Sequence, residues 1–354
     1  MISIKKSDMP GAMAKARETY TLAGPVKDKE GHVFRQLGNG EIPDLTYEQT
    51  RMSPKSLVFP QLDPMFSYSL DHQTNPGSLL NEFSQDKQLR AAVGIRPYDA
   101  KALAMLKMNF DTPEYTDPYF IRKNEPLTLI GLAENFPNKT NFSTSCGTGP
   151  FDETHLDMIL ADTGDAFLGK ILTPKGDAFA RAAGFTLADP GAEELFEKLK
   201  STAEESISSQ VIFDHIQAAE TLELYDAPFW EEAAFSCINC STCTFVCPTC
   251  WCFDIQDETA GSKGVRLRLW DSCMSDLYSA HASGHNPRAE GWKRFRNRFM
   301  HKLKYFPDKY GQGIMCVGCG RCVSACPVNI DIRNIIKALN SPLNCRSNNG
   351  EVLR

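Results

Sequence analysis

The sequence predicts an α+β protein in two parts. An N-terminal mixed α/β domain is expected over residues 1–225, followed by a helical domain over residues 226–354. In the first part, short apolar runs alternate with helical segments, which is the pattern of an α/β unit. After Asp226 the strand patterns stop, the cysteine density rises, and one cysteine-rich sequence occurs twice.

The composition is that of an ordinary folded protein. The 354 residues are 42% hydrophobic and 23% charged, and the length suits two domains. The net charge of −6 argues against nucleic acid as a general partner. The sequence has no signal-peptide pattern, lipidation motif or apolar run of about 18 residues, so we expect a cytoplasmic protein without a membrane span.

Apolar periodicity and turn residues predict the elements of the N-terminal domain. Lys27–Gly31 and Asp162–Asp165 are turn sequences between apolar runs, and Asp99 is a plausible N-cap. In order, we expect a helix over 12–20, strands around Val26 and 32–35, a strand over 89–95, a helix beginning at Asp99, a strand over 127–132, strands over 157–161 and 166–172, and a helix over 191–221. Helices over 230–236 and 331–339 are expected in the second domain.

The run C-x-x-C-x-x-C-x-x-x-C-P occurs at Cys237–Pro248 and again at Cys316–Pro327. Bacterial-type ferredoxins bind [4Fe–4S] clusters with this run. The two-residue spacing lets one loop place three thiolates on three iron corners of a cube, and its N–H groups can face the negative cluster. In two-cluster ferredoxins the fourth cysteine ligates the other cube. The sequence therefore predicts two [4Fe–4S] clusters.

Crossed ligation assigns four cysteines to each cluster. The first set is Cys237, Cys240, Cys243 and Cys326, and the second set is Cys316, Cys319, Cys322 and Cys247. One alternative exchanges the two fourth ligands. Another is a pair of structural zinc sites, although zinc needs neither the third cysteine of each run nor the proline.

Five of the thirteen cysteines lie outside both sets. They are Cys146, Cys250, Cys252, Cys273 and Cys345. Their spacing matches no cluster motif, and we interpret them as buried thiols that pack as small apolar side chains near the clusters. A third centre built from some of them is the alternative.

Three other stretches carry candidate chemistry. Lys293–Lys304 is basic and carries aromatic residues at helical spacing, which predicts a helix with a solvated basic face. One alternative is a docking surface for an acidic partner. The other is local positive charge that favours the reduced form of the clusters. His281 and His285 are explained by a helix ending at Gly284. Gly147–Pro150 is a weak candidate for phosphate binding, and no dinucleotide fingerprint is present.

The chain resembles a known family beyond the two cysteine runs. The similar segments are Cys247–Asp257, Trp270–Cys273, Gly284–Arg288 and Arg296–Lys302, and in the N-terminal part Ser53–Lys55, Phe59–Pro60, Gly94–Pro97 and Gly147–Pro150. They resemble the dicluster iron–sulfur (beta-type) subunits of sulfhydrogenases, the matching iron–sulfur component of anaerobic sulfite reductase, and electron-transfer subunits associated with heterodisulfide reductases. Tyr98, Asn141 and Ser143 occupy a region where such relatives often carry further cysteines.

The resemblance implies a non-catalytic subunit with an α-helical ferredoxin-like domain. Such a protein carries electrons between its two partners. One partner is a flavin- and NAD(P)-binding subunit. The other is the terminal catalytic subunit, which is a hydrogenase, a sulfite reductase or a heterodisulfide reductase. The N-terminal domain is then a docking scaffold. Two alternatives stay open: a reductase in its own right with flavin or substrate bound in the N-terminal domain, and a structural adaptor whose clusters only hold the fold.

Overall fold

The computed structural model describes residues 1–70, 80–82 and 88–341. In chain order the strands are β1 (Ile2–Lys5), β2 (Thr21–Asp28), β3 (Gly31–Gln36), β4 (Leu62–Ser69), β5 (Leu80–Glu82), β6 (Arg90–Ile95), β7 (Leu127–Leu132), β8 (Met158–Asp162), β9 (Ala166–Ile171), β10 (Thr186–Leu187), β11 (Phe253–Ala260) and β12 (Lys263–Trp270). The helices of the first 225 residues are α1 (Met9–Ala16), α2 (Pro97–Phe110), α3 (Pro118–Asn124), α4 (Pro174–Ala183), α5 (Ala192–Ser206), α6 (Asp214–Ala218) and α7 (Thr221–Tyr225). Those that follow are α8 (Trp230–Ala234), α9 (Thr242–Phe245), α10 (Gly291–Met300), α11 (Phe306–Tyr310), α12 (Arg321–Ser324) and α13 (Ile332–Leu339), with a π-helical turn over His301–Tyr305.

An eight-stranded sheet forms the centre of the N-terminal part, in the order β10-β1-β9-β8-β7-β6-β2-β3. Strands β2, β6, β7 and β8 run parallel, and the remaining neighbours are antiparallel. The parallel strands are short and apolar because both of their faces are covered. One face packs against α1 and α4, and the other packs against α2, α3 and α5.

The predicted α+β class is confirmed, and most predicted elements of the large sheet are present. Strands β2, β3, β6, β7, β8 and β9 match the expected positions. The first helix begins and ends earlier than expected, at Met9 and Ala16. The helix expected over 191–221 ends at Ser206, and two short helices, α6 and α7, cover the end of that range.

The expectation that no strands follow Asp226 is wrong. Strands β11 and β12 form an antiparallel hairpin between the two cysteine runs. This hairpin pairs through β12 with β4, so that a second, four-stranded sheet has the order β11-β12-β4-β5. The hairpin was not visible as a pattern because β11 is exposed along almost its whole length, and it therefore lacks apolar alternation.

Residues from both sides of position 225 share the core that surrounds the cysteine runs. Trp230, Phe295 and Phe299 form its aromatic centre. Phe142 and Ile216 belong to the same core. In the second sheet, the buried Arg268 of β12 pairs with Asp63 and Asp117. The division at residue 225 stays a prediction, and the N-terminal part contributes directly to the surroundings of the cysteines.

Candidate metal centre

The two cysteine runs adopt the same backbone conformation. In each, the residues just before and just after the second cysteine are left-handed: Asn239 and Ser241 have φ of 53° and 65°, and Gly318 and Gly320 have φ of 66° and 75°. Each loop then enters a short helix, α9 or α12. Left-handed serine costs about 1 kcal/mol or more, so the shared conformation is maintained by the surrounding structure rather than by local preference.

The first set of cysteines surrounds one cavity. Its lining includes Cys237, Cys240, Cys243 and Cys326, together with Met274, Phe295, Arg298 and Cys322. The fourth cysteine of the second run thus faces the three leading cysteines of the first run. Cys326 Sγ accepts a hydrogen bond of 3.2 Å from the N–H of Ile330. Cys240 is the exposed member of the set.

The second set is less exposed than the first: Cys319 is buried, and Cys316, Cys322 and Cys247 are half-buried. Burial raises the pKa of Cys322 to about 12 and also raises the pKa of Cys319. Cys247 interacts electrostatically with Cys316, Cys319 and Cys322, and also with Cys243 of the first set. The N–H of Gly318 donates a hydrogen bond of 3.5 Å to Cys316 Sγ. The structure therefore brings the four predicted cysteines of the second set into one neighbourhood.

The chemistry of these donors fits iron–sulfur cubes. A cube spreads four thiolates over four iron corners, and four thiols of the first set line a single cavity between them. Within residues 1–70, 80–82 and 88–341, no three His, Cys, Asp or Glu side chains converge closely enough to hold one metal ion.

Two buried cations lie beside the thiols. Lys302 Nζ donates to Cys247 Sγ at 3.2 Å and to Thr249 Oγ1 at 3.0 Å. Burial alone would lower the pKa of Lys302, but attraction to Cys247, Cys250 and Cys316 raises it. Arg298 is also fully buried, and attraction to cysteines of both sets raises its pKa. The groups that raise the pKa of these two cations are cysteine sulfurs.

The basic stretch is therefore neither a solvated face nor a docking surface. Arg294, Arg296, Arg298, Lys302 and Lys304 are all buried. The π-helical turn over His301–Tyr305 follows α10 directly, and it carries Lys302. Such turns occur often at functional sites because they shift the direction of the following side chains. Of the three interpretations, positive charge beside the thiols is the one that the contacts support.

The N-terminal part holds the second cysteine run from outside. Phe142 donates its N–H to the carbonyl of Gly318 at 2.9 Å. Gln49 Nε2 donates to the carbonyl of Cys319 at 2.6 Å. An added Cβ on Gly318 would lie 2.6 Å from the backbone of Phe142, and one on Gly320 would lie within 2.7 Å of Thr140. Glycine is thus required for the close approach of the two segments as well as for the left-handed backbone.

Asp99 has a different role from the predicted one. Helix α2 begins at Pro97 after Arg96, so Asp99 lies in the first turn rather than at the cap. Its buried carboxylate pairs with Arg321, and the two hydrogen bonds measure 2.6 Å and 2.7 Å. Burial raises the pKa of Asp99, while Arg321 opposes that change. The pair fixes α12, and hence the second cysteine run, to the N-terminal part.

Lys55 forms a further link that the sequence did not reveal. This lysine is buried and donates to the carbonyl of Cys250 at 2.9 Å. Its ammonium also lies 4.0 Å from the ring centroid of Trp270. Burial lowers its pKa to about 8. Only the resemblance in Ser53–Lys55 had drawn attention to this segment.

The cysteines outside both sets are not dispersed. Cys146, Cys250 and Cys273 are buried, as expected. Cys146 lies beside Cys316, and Cys250 lies beside Cys247. Cys252 and Cys273 contact each other. Cys345 lies outside the described residues.

The other candidate stretches gain no support as binding sites. His281 and His285 are in ring contact in a turn, and no helix ends at Gly284. An added Cβ on Gly149 would lie 3.0 Å from a carboxylate oxygen of Glu204. A negative side chain so close to this loop disfavours phosphate.

The two loops and their cysteines define a class of protein, and comparison with known proteins supports the same class. Residues 236–330 match the 4Fe-4S dicluster domain family. The chain is 27% identical to sulfhydrogenase 2 subunit beta of Pyrococcus furiosus over 338 residues, which are 93% of this chain and 95% of that protein. The resemblance to the dicluster iron–sulfur subunits of sulfhydrogenases is thus confirmed. No solved structure matches the chain. Among the described residues, no helix is long and apolar enough to cross a membrane.

Proposed function

We propose that this chain is the iron–sulfur electron-transfer subunit of a hydrogenase-type complex and binds two [4Fe–4S] clusters. The first set of cysteines holds one cluster, and the second set holds the other. The observation that carries the proposal is the shared cavity of Cys237, Cys240, Cys243 and Cys326, which come from two runs far apart in sequence. The match to a sulfhydrogenase beta subunit supports the assignment to such a complex.

Proximity of the two centres supports a relay. Cys322 belongs to the second set and also lines the cavity of the first set. Arg298 lines the same cavity and interacts with cysteines of both sets. When bound, the clusters supply one-electron carriers, and the protein supplies their position and electrostatic surroundings.

The first centre is the one that faces outward. Cys240 is exposed, and two apolar side chains flank its loop: Phe235 is 93% exposed and Ile238 is 62% exposed. Glu231 and Glu232 are exposed in the preceding helix α8. Exposed apolar residues beside a redox centre mark an interaction site. We propose that a partner subunit docks here with an apolar centre and a basic rim.

The second centre faces the N-terminal part, which covers Cys316 and Cys319 through Phe142 and Gln49. Electrons then enter or leave through the first centre, and the N-terminal part serves as the scaffold that positions the second. The partners expected from the resemblance are a terminal hydrogenase, sulfite reductase or heterodisulfide reductase, and a flavin- and NAD(P)-binding subunit. Which of these docks at Phe235 is tested by photocrosslinking from that position in the native complex.

A cavity in the N-terminal part favours a second candidate function, a reductase with its own flavin or substrate site. The cavity of about 700 Å³ lies where β6, β7 and β8 end, and its lining includes Arg96, Glu134 and Asp162. Ligands of α/β sheets bind at the carboxyl ends of parallel strands. Arg96, however, already donates to three backbone carbonyls, and Lys6 is paired with Asp162. Both terminal nitrogens of Arg96 and the ammonium of Lys6 are thus already engaged by the protein, and the relay is the better supported function.

Cysteine variants test the ligand assignment. Anaerobically prepared protein is expected to contain about eight irons and to give two electron paramagnetic resonance (EPR) signals after reduction. C326S and C240S should perturb the same signal, and C247S and C319S should perturb the other. If C326S and C319S alter one signal together, the fourth ligands are exchanged. If the isolated, reconstituted protein oxidises NAD(P)H or reduces sulfite unaided, the relay is contradicted in favour of a reductase.

A further inference from the structure

The hairpin between the two cysteine runs brings two cysteines together. Strand β11 begins immediately after Cys252, and β12 ends shortly before Cys273. Phe253 pairs with Trp270 at the open end of the hairpin. Beyond that pair, the N–H of Asp271 donates to the carbonyl of Cys252 at 2.9 Å. The backbone pairing of β11 with β12 therefore holds Cys252 and Cys273 on adjacent chain segments.

Three polar groups lie beside the sulfur of Cys252. They are the thiol of Cys273, the backbone N–H of Cys273 and the hydroxyl of Tyr278. Hydrogen bonds to a thiolate favour the charged form. They lower the pKa of Cys252 to about 6, whereas the hydrogen bond and burial raise the pKa of Cys273. Cys252 is partly exposed and Cys273 is buried. The pair thus consists of an accessible thiolate and a protected thiol.

The pair also lies close to the second centre. Cys273 interacts electrostatically with Cys250. Cys250 in turn lies beside Cys247, a member of the second set. The neighbouring Lys55 and Lys302 contribute positive charge on that side. Electrons from the second centre therefore have a short route, through packed cysteines, to the pair.

We propose that Cys252 and Cys273 form a redox-active dithiol that reduces a disulfide substrate with electrons from the second centre. The proposal rests on the proposed function, because the clusters supply the electrons. The Cys252 thiolate attacks one sulfur of the substrate R–S–S–R, forms a mixed disulfide, and releases the first thiolate. The Cys273 sulfur then attacks Cys252, closes the Cys252–Cys273 disulfide, and releases the second thiolate. The proton of Cys273 ends on one released group, and the other leaves as a thiolate that takes a proton from solvent.

The cycle closes by reduction of the protein disulfide. Two electrons, delivered one at a time by the clusters, and one proton from solvent regenerate the Cys252 thiolate and the Cys273 thiol. Cys252 is the attacking residue because it is the more accessible and the better stabilised as a thiolate. Cys273 is the resolving residue, and Tyr278 is a positioning residue that acts through Cys252.

The test uses the whole, cluster-loaded protein under argon, with 5,5′-dithiobis(2-nitrobenzoic acid) as the disulfide probe. Wild-type protein should release two equivalents of thionitrobenzoate rapidly and yield a Cys252–Cys273 disulfide in peptide mass spectra. C273S should release one equivalent and retain the mixed disulfide at Cys252. C252S should lose the rapid phase. Y278F should slow the release by about tenfold, because it removes one hydrogen bond to the thiolate.

A second measurement follows the electrons. The clusters are first reduced with dithionite, the excess dithionite is removed, and the probe is then added. The visible absorbance of the oxidised clusters should return faster in wild type than in C252S. The proposal is overturned if the rapid thiols map elsewhere, if no Cys252–Cys273 disulfide forms, or if cluster reoxidation is equal in both proteins. It is also overturned if C252S or C273S loses iron, since the thiols are then cluster ligands. If wild-type protein shows both cluster EPR signals but does not react with the probe, the proposed dithiol is rejected and the proposed electron relay is not.

Discussion

Lys302 should set the reduction potential of the cluster bound by the second set. Its ammonium lies 3.2 Å from Cys247 Sγ in a buried position. With ~6 Å between the ammonium and the centre of the cube, and an effective dielectric constant of about 20, one added electron interacts with Lys302 by about 3 kcal/mol. For a one-electron step this is on the order of 100 mV. Because positive charge stabilises the reduced cluster, K302M should lower the potential by that amount.

The assay is a redox titration followed by EPR, which resolves the two clusters. Lys304 provides a matched control: it lies two residues further along and is also buried, but it pairs with Asp308 and the carbonyl of Gln217. K304M should leave both potentials unchanged, and K302R should retain most of the wild-type value. Equal shifts in K302M and K304M would refute the electrostatic reasoning, as would a shift confined to the other cluster.

Three further changes have distinct expected results. D99N leaves Arg321 buried without its ion-pair partner and should lower the free energy of unfolding by about 3–5 kcal/mol in denaturant titrations. G318A introduces a Cβ 2.6 Å from the backbone of Phe142 at φ of 66°, and should reduce the iron content. The pKa of Glu134 is raised by burial to about 7, so the carboxyl stabilises the fold below pH ~4.5 and loses that contribution as pH rises through 7. E134Q should remove about 3 kcal/mol of pH dependence from the free energy of unfolding.

Each of these changes has a control in the same chain. D257N breaks an exposed pair with Arg266 and should lower the free energy of unfolding far less than D99N does; equal losses for D257N and D99N would contradict the role of burial. G313A meets no atom within 4 Å and should retain its iron. If E134Q follows the wild-type pH dependence between pH 5 and 7, another group is responsible for it.

The sequence was most informative where chemistry is encoded by local spacing. Both cysteine runs were identified from their spacing, and Cys326 lines the same cavity as the three leading cysteines of the first run. Most strands of the large sheet were also predicted, because each is a short apolar run between turn residues. The helix expected over 191–221 joined α5 and α6, which the structure separates by the residues between Ser206 and Asp214.

Contacts between distant residues could not be predicted from one sequence. Asp99 and Arg321 are 222 positions apart, and nothing local distinguishes Asp99 from an ordinary capping residue. The basic stretch was interpreted as solvated because cations are usually exposed. Arg298 and Lys302 are buried instead, since the thiols of both sets attract them. The β11–β12 hairpin was missed because its exposed strand carries no apolar pattern.

The most direct test of the account is the iron, sulfide and EPR analysis of anaerobically purified protein. Two clusters held by crossed ligands are expected to give about eight irons and eight sulfides per chain. Full reduction should give two overlapping cluster signals that broaden each other, because Cys322 of the second set lines the cavity of the first. A colourless protein that holds zinc would contradict the account, and so would a preparation saturated at about four irons with a single isolated cluster signal.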